Sequence, residues 1–168
     1  SFSQQNYLDN YLLGSVTYST IANSSNSVLL PRDLDFKPNS NELWVALKGS
    51  GGGSVVIVYN AGFANQTSEY RKDSHTSHFM NNTSALAFSD IGEFATTGEY
   101  KESTSTFMGP SLWSSDTAIY AKVFQNNWVS GLPLGSHLDM LHQSPYSMGI
   151  AHDNGEAFWV FDGYNGNI

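Results

Sequence analysis

The stretch Pro145-Tyr146-Ser147-Met148-Gly149-Ile150-Ala151-His152-Asp153-Asn154-Gly155-Glu156-Ala157-Phe158-Trp159-Val160-Phe161-Asp162-Gly163-Tyr164-Asn165-Gly166-Asn167-Ile168 decides the fold. A short apolar segment, Ile150-Ala151, runs into Asp153-Asn154-Gly155, a sequence suited to the positive backbone angles of a tight hairpin turn. Phe158-Trp159-Val160-Phe161 follows, bulky and β-branched as a pleated surface requires. Asp162-Gly163-Tyr164-Asn165-Gly166 then reverses the chain again. The reading is strand, turn, strand, turn.

The same unit recurs upstream. Laid without gaps over His142–Phe158, the segment His78–Phe94 puts His78 on His142, Thr83 on Ser147, Leu86 on Ile150, Ala87 on Ala151 and Phe94 on Phe158. A third copy begins at Pro31-Arg32-Asp33-Leu34-Asp35-Phe36. With one extra residue in its turn, Leu43-Trp44-Val45 lands on Phe158-Trp159-Val160. Each copy offers an apolar inner strand, a polar turn and a second strand with large apolar residues. Repetition at this length marks a modular β architecture.

The remainder agrees. Apolar residues at three- and four-residue spacing are scarce, so helices are not expected. Val55-Val56-Ile57-Val58-Tyr59 and Ala118-Ile119-Tyr120-Ala121-Lys122-Val123 are β-branched or aromatic runs and are read as strands, with Tyr100–Ser115 as an enlarged loop. The fold class is all-β.

The last copy resembles the NHL repeat. Gly149, Ile150, Ala151, Asp153, Gly155, Trp159, Val160, Asp162, Asn165 and Ile168 follow that motif in order, while Pro145 stands two places earlier than the family's proline. The first copy keeps Pro31, Leu34, Trp44 and Val45 but has Leu47 at the Asp position. The middle copy has Ala95 for Trp and Gly98 for Asp. The resemblance implies four-stranded blades of a β-propeller; the alternative is a β-sandwich with similar hairpins. Blade starts fall near residues 31, 83 and 147 of a single domain, 1–168. Leu34 and Leu86 are 52 residues apart and Leu86 and Ile150 are 64 apart, against about 40–50 per blade. The expectation is an incomplete arc of about three blades with a truncated last blade, completed by further blades of a parent chain or by another subunit.

Composition narrows the function. Fifteen acidic residues against seven Lys and Arg give a net charge of −8, which disfavours nucleic acid, whose phosphates demand clustered cations. No apolar run reaches the roughly 20 residues of a membrane helix. With no cysteine, disulfides and thiolate chemistry are excluded. Few charges, abundant hydroxyl and amide side chains, and glycosylation triplets at Asn23, Asn65, Asn81 and Asn82 suit an extracellular or cell-surface protein.

Within the propeller resemblance, the residues opening the inner strands and facing a central channel are Arg32, Ser84 and Met148. NHL-type lyases hold zinc there with His, and these positions carry none. His78 and His142 occupy equivalent junctions. They are read either as anchors of the backbone between blades or as ligands of a divalent metal, zinc, copper or iron. Asp33, Asp35 and Asp139 are polar channel, turn or surface residues. The run Gly49-Ser50-Gly51-Gly52-Gly53 lies between strands and reads as a hairpin loop, since a phosphate cradle leads into a helix. No Gly-x-Ser-x-Gly elbow occurs. The expected function is a non-catalytic binding or assembly module for protein or glycan; the alternative is a metal-dependent lyase or hydrolase with a channel site.

Overall fold

The computed structural model describes residues 18–49, 53–73, 76, 80, 82–99, 109–121, 137–140, 146–163 and 165–168. They hold ten strands in three antiparallel sheets, so the protein is all-β. The first sheet runs β1 (Pro31–Phe36), β2 (Leu43–Leu47), β3 (Ser54–Tyr59) and β4 (Thr67–Arg71), each beside its predecessor. The second repeats this order with β5 (Thr83–Phe88), β6 (Phe94–Gly98), β7 (Ser111–Trp113) and β8 (His137–Met140). The third is the hairpin of β9 (Ile150–His152) and β10 (Phe158–Val160). A 3-10 turn, Ser24–Asn26, precedes the first sheet, with the Asn23 side chain accepting from the Ser25 amide at 2.8 Å.

Register carries the repeat into three dimensions. Asp35 lies opposite Trp44, Ala87 opposite Ala95, and Ala151 opposite Trp159. One step along, Leu34 faces Val45, Leu86 faces Thr96, and Ile150 faces Val160. The three hairpins therefore have corresponding cross-strand pairs. Their first strands are neighbours too, β1 against β5 and β5 against β9.

Side-chain alternation sends the two faces of each sheet to different surroundings. Trp44, Ala46, Val55 and Ile57 leave the first sheet toward the second and meet Leu86, Phe88, Phe94 and Trp113 in one core. Leu43, Val45, Leu47, Val56 and Val58 project the other way and pack with Ala22, Val28, Ala61 and Tyr70. With both faces covered, β2 and β3 are continuous apolar runs, as doubly buried strands are. The central core is aromatic: Trp44 meets Phe88 edge-on at 5.5 Å and lies 5.1 Å from Phe94, while Phe94 stacks at 6.2 Å on Trp113.

Residues 117–121 depart from the sequence expectation. They form a turn, whereas β7 occupies Ser111–Trp113, inside the segment read as loop. Local polar chemistry outweighs the apolar run. Asp116 Oδ1 accepts from the Ala118 amide at 2.8 Å, and the Asp116 carbonyl accepts from the Tyr120 amide at 2.7 Å. Arg71 then donates to the carbonyls of Thr117 and Tyr120, both at 2.7 Å. The turn drives the Tyr120 ring into the core, edge-on to Phe94 and Trp113. A strand would present alternate residues to opposite faces and could not satisfy both carbonyls with one guanidinium.

Gly53, ending the glycine run, has a packing reason. Its amide donates to the Met80 carbonyl at 2.7 Å, and a Cβ there would lie 2.6 Å from that oxygen. Glycine permits this approach of the first sheet to the segment entering β5. The run joins β2 to β3, between antiparallel strands.

Candidate functional site

The first strands of the three hairpins stand side by side, and the acidic residues of β1 reach across to β5. Asp33 and Asp35 alternate with Leu34 and Phe36, so both carboxylates point at β5. Asp33 Oδ2 accepts from the Leu86 amide and Asp35 Oδ2 from the Phe88 amide, each at 2.9 Å. Their Oδ1 atoms accept from Leu34 and Phe36 of their own strand, at 2.9 and 2.8 Å. Each carboxylate thus bridges edge amides of two neighbouring strands. These are structural acceptors with their oxygens already committed, and not a free general-base pair.

Of the residues expected to face a channel, Arg32 pairs with Glu99 at 2.8 Å, and Glu99 Oε1 also accepts from Lys48. Ser84 donates to the Ser147 carbonyl at 2.7 Å and accepts from the Thr97 hydroxyl at 2.9 Å, tying β5 to the segment before β9. Met148 is largely exposed. Arg32 and Ser84 are thus engaged with different partners. His78 and His142 lie outside the described residues. Among the described residues no group of three or more His, Asp or Glu is placed to hold a metal ion. Asn23 and Asn65 are exposed, Asn82 is half-buried, and Asn81 lies outside the described residues.

A second polar cluster joins the β5–β6 turn to the β9–β10 turn. The Gly155 amide donates to Asp90 Oδ2 at 3.2 Å, and His152 Nδ1 stands 3.7 Å from Asp90 Oδ1. His152 also has Nε2 3.0 Å from the Gly155 carbonyl oxygen and its ring edge-on to Phe158. Next to it, Glu93 is held above the ordinary carboxyl range, first by burial, then by the charge of Glu156 and by a hydrogen bond with that side chain. Like charges so close favour a shared proton. This cluster escaped the sequence because its members are turn residues of separate repeats. The equivalence of those turns was the available signal.

Beside Glu93 an open cleft of about 360 Å³ is lined by Lys37, Ile91, Gly92, Ser115 and Asp116 among others. Lys37 donates to the Ser115 carbonyl at 3.2 Å and pairs with Glu42 at 3.8 Å. Asp116 caps its own turn. The cleft's charged groups therefore serve the fold first.

The third sheet presents a different kind of surface. Trp44 is fully buried, yet Trp159, its register equivalent, is 57% exposed. Ala151 and Phe161 are exposed beside it. The face that the first sheet buries against the second is, in the third, open and apolar. No family model, curated protein or solved structure matches this chain.

Proposed function

We propose that this chain is an arc of an NHL-type β-propeller that serves as a non-catalytic assembly and binding module of a secreted or cell-surface protein, for protein or glycan partners. The observation that carries the reading is the open Ala151–Trp159–Phe161 face. Its equivalent in the first sheet is sealed by Leu86, Phe88, Phe94 and Trp113. A tryptophan set in a rigid strand and left in water is the kind of anchor that protein interfaces use. The repeated four-stranded meander and the adjacency of β1, β5 and β9 support the propeller part. The engagement of Arg32, Ser84, Asp33 and Asp35 in fixed structural contacts weighs toward assembly and away from a channel-site lyase.

The test is hydroxyl-radical footprinting of the protein in its native material, with metal analysis of the same sample. Trp159 is expected to be protected there and to become reactive once the chain is purified and diluted. Equal reactivity in both states overturns the assembly reading. Stoichiometric tightly held metal transfers the function to the lyase or hydrolase alternative.

A further inference from the structure

We propose that the partner of the Trp159 face is a second copy of this chain, docked head to tail so that Phe36 of one copy covers Trp159 of the other. This rests on the assembly reading above and names its partner. The contact already exists once inside the chain: Phe88 of β5 meets Trp44 of β2 edge-on at 5.5 Å. Phe36 is the register equivalent of Phe88, since Phe36 faces Leu43 as Phe88 faces Phe94. Trp159 is the equivalent of Trp44. Both equivalents stand in water, Phe36 at 53% exposure and Trp159 at 57%.

The surroundings match as well. Leu34 is exposed two residues from Phe36 on β1, and Ala151 and Phe161 are exposed beside Trp159, so each aromatic ring has an apolar neighbour to bury with it. Backbone chemistry points the same way. In the internal contact the amides of Leu86 and Phe88 need the Asp33 and Asp35 carboxylates of the preceding sheet. The third sheet has Gly149 and Ala151 at those positions, which bring no carboxylate to replace them. None is needed, because the amides of Leu34 and Phe36 are already satisfied by Asp33 and Asp35 of their own strand. A second copy can therefore present β1 to β9 without stranding those donors, whose loss would be costly. About a twofold axis each copy gives one Phe36 strip and one Trp159 strip, and the association closes.

Sedimentation of the purified chain tests this, alone and as the variants F36S and W159S, with I91S as an exposed apolar control and near-ultraviolet circular dichroism to verify folding. The wild type and I91S are expected to be dimers. F36S and W159S each weaken association about tenfold or more, as loss of a central aromatic anchor does. Mixing F36S with W159S restores a heterodimer, since one Phe36–Trp159 contact survives intact. A wild type monomeric up to about 100 μM, folded variants that dimerise unchanged, or a dimer sensitive to W159S alone each overturn the proposal. If the purified chain is monomeric while Trp159 is protected in native material, the second-copy partner fails and the assembly reading stands.

Discussion

The carboxylate of Asp35 accepts the backbone amide of Phe88 at 2.9 Å, joining strands of two different sheets. Asp33 repeats the arrangement two residues earlier with Leu86. The inner edges of the two sheets are thus linked by side chains standing where a neighbouring strand's carbonyls would stand, and the edge donors are occupied without extending the sheet.

Replacing Asp35 by Ala is expected to cost about 1–3 kcal/mol, because the Phe88 amide loses its acceptor in a buried setting. Asn at the same position retains one carboxamide oxygen and serves one amide instead of two, so its loss should be smaller. Urea unfolding of D35A and D35N ranks them. Equal stability of wild type and D35A would show that water replaces the carboxylate freely.

Trp44 and Trp159 occupy equivalent strand positions, so truncating each separates position from environment. Trp44→Ala empties the aromatic core and is expected to cost about 3–5 kcal/mol. Trp159→Ala, measured at high dilution where association is absent, should change folding stability by no more than about 0.5 kcal/mol, as exposed substitutions do. Thermal melts of the two variants give the comparison.

Arg71 is buried, donates to the carbonyls of Thr117 and Tyr120, and pairs with Glu69 at 3.0 Å. Nη1 serves both carbonyls while Nη2 holds Glu69, and lysine keeps the charge but has no planar fork to hold the two sets of acceptors apart. Arg71→Lys should therefore loosen the 117–121 turn and release Tyr120 from its aromatic contacts. The expected readout is a weaker near-ultraviolet dichroism signal with the far-ultraviolet β signal retained.

Glu93 has its folded-state titration raised above the ordinary 4.5 by burial and by Glu156. A raised folded value means the protonated contact stabilises fully below the unfolded carboxyl range, and this contribution fades as pH rises through the folded value. Wild-type stability attributable to this pair should therefore decline from about pH 4 toward neutrality. Glu93→Gln carries no charge at any pH and should flatten that decline, giving a variant more stable than wild type at pH 7. Melting temperatures of both proteins at pH 4.5 and 7 test the sign.

Strand character was local and therefore legible. The β-branched run of β3, the Asp153-Asn154-Gly155 turn and the correspondence of Leu86 with Ile150 are each readable from neighbours in sequence, because alternation and turn angles are set over two to four residues. The alignment of Trp44 with Trp159 was visible in the same way, and the register of the hairpins reproduces it. Sequence could not tell that one is sealed and the other open, since burial depends on which sheet packs against each face. Nor could it foresee that Asp33 and Asp35 serve amides of β5, a contact spanning 53 residues. Tyr120 makes the same point from the opposite direction. Its segment has strand composition, but Arg71, Asp116 and an aromatic pocket make a turn with a buried ring the lower free-energy arrangement. By itself the sequence determined the repeated hairpins, with their first two strands and connecting turns, because those follow from short-range sterics and polarity. Only the tertiary structure decided which repeated positions are core, which are stitches between sheets and which remain open to a partner, because those depend on residues distant in the chain.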